Sequence, residues 1–375
     1  MILLFRNLRN NIFFIGGNMV ILNVKLDNIF GFRDFEINFS YPKKIVNSMI
    51  PEEHLPGRPN FRYKKAVILM GANASGKTTL GKALFLIFEY LSKKQYSGIM
   101  SALGSDHANA SFSVDFVVDD NMLYRVEGIS DTRAVLFNTY SAEIQKNDSY
   151  EKTAARLQPA YAADVMSRLQ YRFAYPDVAA TVTASELDQN HLLRVMKAVL
   201  GTLDPTLQDI AIAKDLKDSM IIRRKNEEII IQDGKLLNRE ALSHGTVEGV
   251  DIALFLAAIM QKNGRFYYCD EHFSFIQSDI EKRIFGIMLE HLGDYDQLIF
   301  TTHNMDMLDL NLPKHSYAFL RKKPDGNGEY KISAAYASDY LKRNTDSIRC
   351  AVENDVFSSL PDDSLLDQLD RGELE

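Results

Sequence analysis

Apolar and polar positions alternate along residues 20–26 (VILNVKL), the period of a half-buried strand. Residues 35–39 (FEINF) repeat that pattern after Phe30-Gly31-Phe32-Arg33. Residues 66–70 (AVILM) form a continuous apolar run instead, the mark of a strand covered on both faces. The run enters a glycine-containing loop, residues 71–79, and then an apolar-rich segment, 80–91, that predicts a helix. Residues 111–117 and 122–126 predict a hairpin around Asp119-Asp120-Asn121. From about 140 to 203 the pattern is helical, with Leu192-Leu193, Val195-Met196 and Val199-Leu200 at helical spacing. Strand signals return at 221–223 and 228–231, before an Asp233-Gly234 turn. A helix over 251–260, a buried strand over 265–269, a helix over 280–292 and a buried strand over 297–301 follow. The order predicts an α/β domain interrupted by a mostly helical excursion.

Composition narrows the class. The chain has 375 residues, 46% of them hydrophobic, which excludes a disordered chain and a small stapled scaffold. Its two cysteines, Cys269 and Cys350, give neither a disulfide framework nor a C-x-x-C metal site, and fit a reducing cytoplasm. No stretch approaches the roughly 20 apolar residues that cross a bilayer, so no membrane partner is expected. Residues 1–18 are apolar and basic, but their apolar runs are too short for a signal peptide; Met19, where the alternating pattern begins, is the expected natural start. The net charge of −7 resides in one place. Residues 351–375 hold eight acids and one base, whereas residues 1–350 balance at 42 of each. The tail reads either as a solvated terminus or as an acidic dock for a basic partner, with Leu360, Leu365, Leu366 and Leu369 as anchors.

Three segments carry candidate chemistry. Gly71-Ala72-Asn73-Ala74-Ser75-Gly76-Lys77-Thr78 matches G-x-x-x-x-G-K-[ST] between a buried strand and a helix, as a phosphate loop requires. Its glycines let successive backbone N–H groups face one concavity at a helix N-terminus. Lys77 is placed for the β- and γ-phosphates and the Thr78 hydroxyl for Mg²⁺. Residues 265–269 end in Asp270-Glu271, at the carboxyl edge of a parallel sheet, where ligands of this architecture bind. Acid pairs there also serve as solvated caps; beside a phosphate loop, Asp270 suits the magnesium shell and Glu271 an attacking water. Residues 297–301 lead to Thr302-His303, polar groups on the same edge that suit a γ-phosphate. Leu242-Ser243-His244-Gly245-Thr246 reads either as a helix cap or as a second phosphate clamp.

Together these motifs resemble an ABC-type ATPase head of the SMC/RecF/OLD branch, over residues from about 20 to 320. Asn73, the Leu-Ser-x-Gly-Thr form of the 242–246 segment and the opening Phe30-Gly31-Phe32-Arg33-Asp34-Phe35 look like that branch rather than transporter subunits. The nearest likeness is to stand-alone ATPases of bacterial abortive-infection and anti-phage systems. The resemblance implies a P-loop NTPase fold of the ABC-head type with a helical lid insertion, ATP and Mg²⁺ as cofactors, and a homodimer that sandwiches ATP. Gly71, Asn73, Ser75, Gly76, Lys77, Thr78 and Thr79 would bind nucleotide in cis, and Ser243 and Gly245 in trans. Thr78 and Asp270 would hold the metal, Glu271 would be the hydrolytic residue and His303 the switch histidine. Where the family usually reads Ser-Ala-Leu-Asp after the carboxylates, this chain has Ser274-Phe275-Ile276-Gln277, and no residue is assigned to the magnesium-sensing glutamine.

The implied organisation is an extension at 1–18, a core lobe with the phosphate loop at 19–138, a mainly helical insertion at 139–220, a second core lobe at 221–335, and a C-terminal helix with an acidic tail at 336–375. The 166 residues from Lys77 to Ser243 show no sustained heptads, against a long coiled-coil arm. Only 72 residues follow His303, too few for the nuclease domain of the OLD relatives, so no nuclease activity is expected in this chain. The expected function is an ATPase controlling a separate effector, a nuclease or toxin encoded nearby, in anti-phage defence. The alternatives are a RecF/SMC-like repair ATPase that binds DNA, and an ATP-gated scaffold with little turnover.

Overall fold

The computed structural model describes residues 18–371 except 47, 95–97, 100, 101, 103–109, 119, 120, 131–134, 176–181, 214, 226, 327, 328, 344, 362 and 363. The N-terminal extension apart from Asn18, the turn residues Asp119 and Asp120, and four of the tail's eight acids therefore lie outside the described residues.

β1 (Val20–Asp27) and β2 (Phe35–Asn38) pair antiparallel, and β3 (His54–Leu55) and β4 (Arg58–Arg62) form a short ribbon. β5 (Ala66–Met70) runs into α1 (Lys77–Lys93). β6 (Ser111–Val117), β7 (Met122–Ser130) and β8 (Val135–Glu143) make a meander. After it come α2 (Tyr150–Ala154), β9 (Gln158–Pro159), α3 (Ala163–Met166), β10 (Tyr171–Ala174) and α4 (Gln189–Leu203). β11 (Asp209–Ile212), β12 (Ser219–Arg224), β13 (Glu227–Gln232) and β14 (Lys235–Leu236) form a small sheet. α5 (His244–Met260), β15 (Phe266–Asp270), α6 (Ser278–His291), β16 (Gln297–Thr301), β17 (Tyr317–Pro324) and β18 (Tyr330–Tyr336) complete the core. α7 (Ala337–Tyr340), α8 (Ile348–Glu353) and α9 (Ser364–Asp370) close the chain.

The site rests on the sheet ordered β10-β15-β16-β5-β17-β18, parallel except at β18. Its apolar runs are continuous because both faces are covered. Ile68, Tyr267, Cys269, Leu298 and Phe300 point into a core shared with α4, α5 and α6; Val67, Leu69, Phe266, Tyr268 and Ile299 point into a second core under α1. Five parallel strands thus end on one edge, where the phosphate loop, Asp270-Glu271 and Thr302-His303 emerge together.

Two expectations are corrected. The 139–220 stretch is not mainly helical: α4 is its one long helix among the described residues, β8 continues to Glu143, and β10 and β11 lie within it. Tyr171 to Ala174 become a strand by pairing with Phe266 to Cys269, a distant partner that local periodicity does not reveal. Among the described residues, the C-terminal 336–375 segment holds three short helices rather than one.

Side chains join the two large sheets: the Tyr336 hydroxyl of β18 accepts from the Asn38 N–H of β2 at 2.6 Å, and Gln297 of β16 reaches β1. Gln297, fully buried, accepts from the Ile21 N–H at 2.8 Å and donates to the Ile21 carbonyl at 3.0 Å and the Lys64 carbonyl at 3.1 Å. Gln297→Leu keeps the volume but leaves three buried backbone groups unpaired, and should cost about 3 kcal/mol or more of unfolding free energy. Denaturant unfolding measures this directly; a loss below about 1 kcal/mol would mean that those groups find other partners.

Candidate functional site

The loop after β5 is shaped by its glycines. Gly71 has φ +153°, and a Cβ there would stand 2.4 Å from the Leu320 carbonyl. Gly76, at φ +105°, caps α1, so the helix begins at Lys77 and not at the expected residue 80. No acid occupies the first turn of α1, which leaves its positive end free for an anion. Gly81 lets α1 lie directly on β15, because a Cβ there would meet the Tyr268 ring at 2.5 Å. Tyr268 then ties the two elements together, its hydroxyl donating to the Lys77 carbonyl at 2.6 Å.

Lys77 is buried in this cradle. Its Nζ donates to the Gly71 carbonyl at 2.7 Å and lies 3.1 Å from Glu271 Oε1. Glu271 has φ +43°, a left-handed conformation uncommon for its residue type. Its N–H is held by Thr301, 3.2 Å from the carbonyl and 3.1 Å from the hydroxyl. Asp270 is fully buried: Oδ1 accepts from the Thr301 hydroxyl at 2.7 Å, while Oδ2 has no hydrogen-bond partner. Burial raises its pKa, against the Thr78 and Thr301 hydroxyls, which favour the carboxylate. The Ser75 hydroxyl is likewise buried without a partner.

This donor set fits a magnesium-bound phosphate chain. It offers a buried cation, a free helix N-terminus, a hydroxyl at Thr78 and a carboxylate oxygen with open capacity. Mg²⁺ takes few protein ligands and keeps phosphate and water around it. The described residues accordingly contain no cluster of three or more His, Cys, Asp or Glu that would form a protein-only metal site.

The remaining expected residues divide. Asn73 is exposed on the loop and Thr79 lies partly buried in the first turn of α1. The Thr302 hydroxyl donates to Glu281 at 3.0 Å, and Asn304 braces the same carboxylate at 2.6 Å, so this threonine supports the edge rather than facing it. His303 is exposed at the end of β16. Ser243 caps α5, its hydroxyl accepting from the Thr246 N–H at 3.2 Å, and Gly245 packs against Phe275. The recorded contacts of Ser243 and Gly245 are with their own helix and the 271–277 loop, not with the phosphate loop. The helix cap is thus the role that this geometry shows for the segment.

Sequence reasoning missed several supporting groups. Tyr175 follows β10 on the same sheet edge; its hydroxyl is buried without a partner, and burial together with the charge of Asp270 pushes the phenol pKa well up. Recognition of β10 would have exposed it. Glu248 of α5 accepts from the Phe275 N–H at 3.1 Å, and His272 is buried 3.5 Å from Asp251, linking α5 to the loop that follows Glu271. No sequence motif marks this bracing.

No protein-family model matches the sequence, and no curated protein matches it. Solved structures do. An SMC head bound to the C-terminal winged-helix domain of ScpA superposes with a TM-score of 0.52 at 14% identity, covering 86% of this chain and 99% of that one. An Smc head with an extended coiled coil, bound to the C-terminal domain of ScpA derived from Pyrococcus furiosus, gives 0.50 at 13% identity, covering 86% and 98%. The recombination mediator RecF with ATPrS gives 0.45 at 11% identity, covering 86% and 99%. At such identities the likeness is one of fold. The chain has the mixed α/β P-loop NTPase fold of SMC head domains.

Proposed function

We propose that this chain binds ATP with Mg²⁺ and hydrolyses it. One convergence carries the reading: the phosphate-loop lysine, a buried strand-end aspartate with an open oxygen, and a glutamate 3.1 Å from that lysine share one sheet edge. Lys77 and the N–H groups opening α1 bind and orient the phosphates. Thr78 and Asp270 hold Mg²⁺, which when bound neutralises charge on the phosphates. Glu271 holds a water and accepts its proton, and Thr301 fixes the backbone of that glutamate. Exposed Ser243 and half-buried Gly245 are available to nucleotide held by a second copy, which supports a head-to-tail homodimer with His303 facing the same phosphate.

At the biological level we read the chain as the ATP-driven controller of a separate effector, a nuclease or toxin, in bacterial anti-phage defence. The motif resemblance supports this, and the SMC heads of the comparison are themselves bound to another protein, ScpA. Phosphate release from ATP tests the chemistry. Linear release that needs Mg²⁺ and stops on chelation is expected; no release above background while ATP stays bound would leave only an ATP-gated scaffold.

A further inference from the structure

An apolar cavity and an unpartnered apolar helix on this chain match each other. The cavity, about 910 Å³, opens between α4, α5 and α6. Val195 and Val199 of α4, Leu256 of α5, and Ile280, Ile284 and Ile287 of α6 form its floor. Its rim is basic. Arg194 and Arg283 stand exposed there, and neither has an acid partner recorded among the described residues. The His191 ring also opens onto it, with Nε2 buried and unpartnered. The acid at the rim, Asp279, is engaged by Lys282 at 3.0 Å.

The helix is α9, which buries none of its residues. Leu365, Leu366 and Leu369 are 64%, 67% and 63% exposed. Spacings of one, three and four residues place them in one stripe, with Asp367 and Asp370 beside it. Residues 362, 363, 373 and 375 add four further acids in the sequence on either side. A contiguous exposed apolar stripe marks an interaction surface. At 1.5 Å per residue, seven residues span about 10 Å, a length suited to a cavity of this size.

We propose that α9 of one copy docks its leucine stripe into the α4–α5–α6 cavity of a second copy, with Asp367 and Asp370 meeting Arg194 and Arg283. Charge complementarity selects the occupant, since a basic-rimmed apolar floor wants an acid-flanked apolar helix and the chain carries one. In this structure α9 does not fill the cavity of its own copy, since it buries none of its residues. Its tail is anchored at the phosphate loop, where the Ser359 carbonyl accepts from the Ala72 N–H at 3.0 Å and Phe357 stacks on Phe319 at 4.1 Å, and the leucine stripe is bare from there. Each copy offers one helix and one cavity, so two copies close reciprocally. The contact needs no nucleotide and goes beyond the ATP-dependent pairing.

Two full-length chains with different tags test it, one bearing Leu366→Cys and the other Ala198→Cys, both with the exposed Cys350 changed to Ser, mixed without nucleotide. A disulfide-linked species with both tags is expected. Leu365→Asp with Leu369→Asp in the first chain, or Arg194→Glu with Arg283→Glu in the second, should cut its yield at least tenfold. The arginine loss should be recovered by Asp367→Lys with Asp370→Lys in the first chain, which a merely structural effect would not produce. All these positions are exposed, so the variants keep their fold. The proposal is overturned if no two-tag species forms, if neither set of substitutions changes its yield, or if the disulfide forms only within a chain carrying both cysteines, independent of concentration. A missing ATP-dependent dimer would leave this result untouched, so the two readings fail separately.

Discussion

Glu271→Gln is expected to bind Mg·ATP as well as the native chain and to hydrolyse it at least about 100-fold more slowly. The substitution keeps the side-chain shape, and the backbone is held independently by Thr301 at φ +43°. What changes is the acceptor: an amide takes no proton from water. Lys77 loses its carboxylate neighbour at 3.1 Å but keeps the Gly71 carbonyl at 2.7 Å, so the phosphate cradle stays assembled. A slowed turnover with unchanged nucleotide affinity, measured by phosphate release and fluorescent-nucleotide titration, is the expected split. Equal loss of both would mean that Glu271 supports the cradle rather than the water.

Lys77→Ala should have the opposite signature, weakening ATP binding by about 100-fold, the equivalent of about 3 kcal/mol. The side chain is buried beside the loop, where a charge-assisted contact to phosphate is poorly screened. Glu271 is a quarter exposed and regains water when the lysine is removed, so the fold should lose little. Titration of the variant checks the affinity, and its thermal midpoint checks the fold. Native-like affinity would place phosphate recognition elsewhere.

The sheet edge that carries the candidate site was legible because its strands are buried on both faces. Residues 66–70, 266–269 and 298–300 read as unbroken apolar runs, and each is followed closely by polar chemistry. The phosphate loop was legible because glycine is required where φ is positive, as at Gly76. Other features depend on partners far away in the chain. β10 is four residues long and becomes a strand only beside β15, so Tyr175 stayed hidden with it. Gln297 looked like a strand's polar start, yet it fastens Ile21 and Lys64 across two sheets. β8 has most of its length half-exposed or exposed, which blurs the apolar alternation that identifies a strand. The 242–246 segment is ambiguous in sequence because the same Ser and Gly suit a cap or an anion clamp, and the structure shows Ser243 capping α5.

The proposed ATP site is completed by two copies of this chain. Light scattering of Glu271→Gln with and without Mg·ATP tests it most directly. Saturating Mg·ATP is expected to join the units present without nucleotide in pairs, doubling their molar mass, and Lys77→Ala to abolish the change. An unchanged mass at saturating Mg·ATP, with nucleotide demonstrably bound, would contradict it.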